Sequence, residues 1–248
     1  MIFCLAREGS MPMKKLYRKD EIWFAVLWIA VYVVGFSLAD ALSEVMGFPK
    51  LVTCAVGTLL SAVLAVFLKT NDLTEHFGLC RPKGERKRVL LYIPLIAISS
   101  VDLWNGLEVR VPLSQILTHI ISMAFVAFLE ELIFRGLLFQ GMRKNVRLPV
   151  AVAVSSLTFG MGHIINLLTG APLGDTLLQL MYASAVGFCF TALFLTTGSI
   201  VPCILAHGAV NCMSIFAIEP GPAGKLITAL IQTALGLGYG FWLLRHEE

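Results

Sequence analysis

From Ile22 to Ala39 the chain runs without a charged residue, and seven further apolar segments follow at roughly 51–68, 89–104, 115–139, 149–168, 176–196, 200–218 and 225–244. An apolar stretch of about 17 residues or more is long enough to cross the hydrocarbon core of a bilayer as a helix. In lipid the backbone must satisfy its own polar groups, and helices of this length do so. The pattern therefore predicts an all-α, polytopic transmembrane helix bundle of about eight spans. Composition points the same way. Of the 248 residues 57% are hydrophobic and 14% are charged, against roughly a quarter charged in soluble domains. A soluble globular enzyme is excluded, and so is a disordered chain, whose signature is low hydrophobicity and high charge.

Charge sets the expected orientation. With the N-terminus inside, the inner segments hold Arg7, Lys14, Lys15, Arg18, Lys19, Lys69, Arg81, Lys83, Arg86, Lys87, Arg88, Arg143, Lys144, Arg147 and Arg245, and the outer ones only Lys50, Arg110 and Lys225. Fifteen against three obeys the positive-inside rule and predicts both termini in the cytoplasm. Residues 1–21 are then a basic cytoplasmic tail, 22–244 one integral-membrane domain and 245–248 a short inner tail. Met1–Leu5 is too short and too closely followed by charge to be the core of a signal peptide. The Arg81–Arg88 stretch reads as an anchor for anionic lipid headgroups. A net charge of +3 without a basic stripe gives no expectation of nucleic-acid binding. The six cysteines lack any CxxC spacing and read as reduced small hydrophobes.

Ionisable groups deep in a span are costly and mark function. Glu130, Glu131 and Arg135 lie in the second half of the fourth segment. Glu131 and Arg135, four apart, share a helix face and can pair. Glu130 points about 100° away, so its partner must come from another helix. His163 follows Gly160 and Gly162 in the fifth segment, and the two glycines let a neighbouring helix or a substrate approach. His207 and Asn211, four apart in the seventh, face the same way. A carboxylate and an imidazole can hold and deprotonate water, while a second imidazole and an amide can donate to an oxyanion. The same side chains leave a second possibility open, Zn2+ held by Glu130, His163 and His207. No HExxH pattern is present. Cys203, on the His207 face, makes a weak thiol–imidazole rival. His119, Asn166 and Gln179 read as structural polar groups between helices.

In order, these residues are EExxxR at Glu130-Glu131…Arg135, FxxxH at Phe159…His163 and HxxxN at His207…Asn211. The ordered set resembles the CPBP family, the CAAX protease and bacteriocin-processing (Abi) family of intramembrane endopeptidases, over roughly residues 115–218. The resemblance implies that Glu130 and His163 activate water, that His207 and Asn211 form the oxyanion site, and that Glu131 and Arg135 support them. It favours a metal-free, glutamate-dependent mechanism over a metalloprotease. It also implies cleavage at the cytoplasmic side of a bacterial cytoplasmic membrane, through a cavity open to the cytoplasm. The expected partners are membrane lipids and a peptide precursor or membrane-protein substrate; oligomeric state is not legible. Two other classes fit the same helices. A proton-coupled transporter would use the midplane Glu, His and Asn as a path, though no repeated half is evident. A non-catalytic immunity or scaffold protein would not need Glu130 or His163.

Overall fold

A computed structural model describes residues 12–83 and 92–245. The first half of the basic tail, most of the Arg81–Arg88 stretch, the start of the third candidate span and the last three residues lie outside the described residues. After a helical stretch at 12–19, the helices are α1 Glu21–Val45, α2 Leu51–Thr70, α3 Ile93–Ser99, α4 Leu113–Glu131, α5 Leu148–Gly162, α6 Leu173–Thr197, α7 Val201–Met213 and α8 Pro222–Arg245. A 3-10 turn follows α3 at Val101–Leu103, α5 at His163–Thr169 and α7 at Ser214–Phe216. A π-helical stretch, Leu132–Phe139, carries α4 on to Arg143. The fold is an all-α membrane bundle in which six helices are long and apolar enough to cross a bilayer. The third and seventh candidate spans are shorter. Pro94 stands in the first turn of α3 and marks a late start rather than a bend, and Pro149 and Pro202 open α5 and α7 in the same way. Asp20 caps α1 by accepting from the N–H groups of Ile22 and Trp23 at 2.9 and 3.0 Å.

Hydrogen bonds sort the helix ends into two groups. At one end Lys144 pairs with Glu21 at 2.5 Å, Gln140 donates to the His76 carbonyl at 2.9 Å, and the Lys83 N–H reaches the Thr197 carbonyl at 2.8 Å. This end carries Lys14, Lys15, Arg18, Lys19, Lys69, Arg143 and Arg147, and is base-rich. At the other, Lys50 pairs with Asp40 at 2.8 Å and Lys225 with Asp175 at 2.7 Å. There the segment after α3 meets the end of α7, with the Glu108 N–H on the Phe216 carbonyl at 2.8 Å. Between the ends, the outer faces present Leu38, Leu59, Ile96, Leu168 and Leu205 without cover. Only a hydrocarbon surround makes such surface stable.

The base-rich end is closed by aromatic packing. The Tyr17 ring meets Phe24, Phe67 and Phe77 edge-on at 5.7–5.9 Å, and Phe139 meets Phe194 at 6.1 Å. Such edge-to-face pairs add to the stabilisation from burial alone. Burial, with the Glu21 carboxylate beside it, pushes the Tyr17 hydroxyl up to about 12, so this part of the plug stays uncharged.

α8 packs along α6 through glycine. A Cβ at Gly236 would lie 2.7 Å from the Ala185 backbone, and one at Gly240 would lie 2.6 Å from the Phe188 ring. Small residues permit close approach between membrane helices, where dispersion drives association. Gly238, between them, meets nothing within 4 Å. Gly236→Val should therefore destabilise the purified protein by about 1–3 kcal/mol, read as a lower unfolding midpoint in detergent, while Gly238→Val should cost only its change in helix propensity. Equal effects would show that α6 and α8 do not meet through this face.

Candidate active site

The site forms where α1, α4, α5 and α7 face one another at mid-depth. Glu131 and Arg135, fully buried, pair along α4 with Nη1 3.0 Å from Oε1. The same Glu131 oxygen lies 2.9 Å from His207 Nδ1. A carboxylate can only accept when ionised, so His207 donates its Nδ1–H and its Nε2 faces the other way. There it stands 3.5 Å from Glu130 Oε2, beyond a good hydrogen bond. Glu130 is fixed from α1, where the Tyr32 hydroxyl donates to Oε1 at 2.5 Å. α1 thus supplies a hydrogen-bond partner that Glu130 lacks along its own helix, and α7 brings an imidazole nearby. Glu130 Oε2 has no hydrogen-bond partner among the described residues.

Arg135 sits in the π-helical stretch, with Cζ 4.1 Å above the Phe159 ring. The looser helix frees the Phe134 carbonyl, which accepts from Ser155 of α5 at 2.9 Å. Room for the guanidinium comes from Gly187, where a Cβ would approach Nη2 to 2.9 Å and Phe159 Cδ1 to 3.1 Å. Phe159 also touches both histidines edge-on, His163 at 5.7 Å and His207 at 5.6 Å. The two glycines before His163 divide their work. A Cβ at Gly160 would collide with Ser184 Oγ at 2.0 Å, so it is the contact to α6. Gly162 has nothing within 4 Å and lines open space.

That space is a cavity of about 640 Å³ whose wall includes Tyr32, Glu130, Phe159, Gly162, His163 and Asn211. His163 makes no hydrogen bond to the described residues, and its ring is available to a bound molecule. Glu130, Glu131, Arg135 and His207 form one contact chain, and His163 and Asn211 join it across the cavity. His119 donates to the Asn211 backbone carbonyl at 3.0 Å and ties the start of α4 to α7. Asn166 donates to Gln179 at 2.8 Å between α5 and α6. Cys203 is fully buried, with its thiol directed at the Phe190 carbonyl and away from the cavity. Tyr32 and Gly187 were not anticipated from sequence. A phenol counts as apolar in a hydropathy pattern, and the space a glycine leaves is invisible without its neighbours.

The cavity corrects one expectation. Its far rim is Asp40, Glu44, Lys50, Thr169 and Ser214, at the base-poor end, whereas an opening at the base-rich, cytoplasm-facing end was expected. The aromatic plug at the base-rich end is the physical reason. The zinc alternative lacks its donor geometry as well. Among the described residues no three His, Cys, Asp or Glu side chains gather as a metal requires.

Removing the charge of Glu131 strands a buried guanidinium, which costs about 3–5 kcal/mol. Glu131→Gln should accordingly lower the unfolding midpoint sharply, and Glu131→Gln with Arg135→Met should recover much of the loss. A single variant as stable as the parent would mean the pair is not buried as described.

No curated protein matches the chain. Residues 112–213 match the family described as Type II CAAX prenyl endopeptidase Rce1-like, which is the CAAX protease kinship that the three motifs indicate, over the stretch that holds Glu130, His163, His207 and Asn211.

Proposed function

We propose that the chain is an intramembrane endopeptidase that hydrolyses a peptide bond by glutamate-activated water. The observation that carries this reading is Glu130 on the wall of a cavity that His163 and Asn211 also line, with Oε1 held by Tyr32 and Oε2 without a hydrogen-bond partner among the described residues. An orphaned buried acceptor is costly unless a bound donor completes it, and water is the donor that hydrolysis needs. In this reading Glu130 takes a proton from water, with His163 holding that water from across the cavity. The hydroxide adds to the scissile carbonyl. Asn211 donates its amide N–H to the oxyanion. Because His207 already donates through Nδ1, it can stabilise the oxyanion only with a second proton on Nε2. The proton held by Glu130 passes to the departing amine, and the peptide C–N bond breaks. Arg135 and Glu131 are positioning residues that hold the imidazole. Tyr32 holds Glu130.

In this reading the third and seventh segments are short crossings beside the six long helices, which makes eight spans. With the base-rich end in the cytoplasm, both termini lie there and the cavity opens to the opposite face of the membrane. The substrate is a membrane-associated protein or peptide precursor whose scissile segment reaches that face.

Proteolysis of a membrane-tethered peptide library by purified protein tests the reading. Glu130→Gln should lower cleavage by about 10²–10⁴-fold, Asn211→Ala by about 10²–10³-fold, and a strong zinc chelator should have no effect. Cleavage that survives Glu130→Gln, or that the chelator abolishes, would contradict the mechanism.

A further inference from the structure

Two smaller chambers share lining residues with the cavity beside Glu130. The first, about 90 Å³, is walled by His163, Gln179, Tyr182, His207, Asn211 and Gln232. The second, about 250 Å³, runs from Gln179, Tyr182 and Gln232 to Asp102, Asp175 and Lys225 at the base-poor end. Gln179 borders all three spaces.

The outer chamber is polar but does not satisfy itself. Gln232 is only 5% exposed, in a helix whose other buried positions are small or apolar with the exception of Tyr239. Its Oε1 has no hydrogen-bond partner among the described residues. A buried amide oxygen left so costs its desolvation. Asp102, on the same wall, makes no hydrogen bond or ion pair with the described residues. Lys225, the one lysine or arginine on the wall, is held by Asp175 at 2.7 Å and Glu219 at 2.5 Å. Its charge is met twice over and leaves Asp102 uncompensated.

A carboxylate and an amide oxygen without donors call for a group that donates and is positively charged. Lysine ammonium and arginine guanidinium are the peptide groups of that kind. An apolar side chain would leave both acceptors orphaned, and an acidic one would add repulsion. We infer that this chamber is a specificity pocket in which Asp102 and Gln232 receive an arginine or lysine side chain of the peptide being cut. The inference rests on the endopeptidase reading and adds the substrate feature that the site selects.

Binding separates the two claims. Full-length Glu130→Gln protein in detergent is titrated with a positional set of short acetylated, amidated peptides carrying arginine at each position in turn, and with the matching citrulline set, which keeps the shape and removes the charge. At one position arginine should bind about tenfold or more tighter, and adding Asp102→Asn should bring the two within about twofold. Should that variant not fold, Gln232→Met removes an acceptor at similar volume and should lower the ratio about threefold. Equal binding of the two sets, no binding of either, or a ratio unchanged by these substitutions overturns the pocket. Arginine-selective binding without cleavage by the wild-type chain would sink the endopeptidase reading and leave the pocket standing. Cleavage without selectivity dependent on Asp102 would do the reverse.

Discussion

The ion pair between Arg135 and Glu131 has no contact with solvent, and a buried charge is tolerable only with a partner. The surrounding architecture follows from that requirement. The π-helical stretch of α4 accommodates the arginine, Gly187 leaves space for the guanidinium, and Phe159 lies under it. The remaining capacity of the Glu131 oxygen is spent on His207 of α7. One electrostatic commitment therefore fixes the register of α4 against α7 and the orientation of the imidazole. With Nδ1 tied, the histidine presents Nε2 to Glu130.

The two ends of the bundle are built for opposite tasks. Aromatic rings pack at the base-rich end, where Tyr17, Phe24, Phe67 and Phe77 meet one another. At the base-poor end the helix ends are held apart by short polar links, among them Lys50 with Asp40 and Asn166 with Gln179. The cavity passes between them. In the proposed reaction, water would reach Glu130 from that side.

Much of this was legible in the residues alone. Apolar length gave the helices, because a span must be uninterrupted to survive in lipid. Glu130, His163, His207 and Asn211 stood out because polar groups inside spans are rare. Helical spacing paired Glu131 with Arg135, but it could not show that the same oxygen faces α7, since that contact depends on how two distant helices cross. Tyr32 was hidden by its own ring. The end toward which the cavity runs was not legible, because loop charge bears on orientation in the membrane, whereas the course of a cavity depends on where the large rings pack.

Access to the site is the claim on which the account turns, and cysteine accessibility in intact cells measures it. Thr169→Cys and Ser214→Cys, at the cavity rim, and Arg143→Cys, at the base-rich end, are introduced singly into a chain whose native cysteines are replaced. A membrane-impermeant maleimide should label the first two from outside the cells and Arg143→Cys only after permeabilisation. Labelling of Arg143→Cys from outside, with the rim positions protected until the membrane is opened, would place the cavity on the cytoplasmic face and contradict the account.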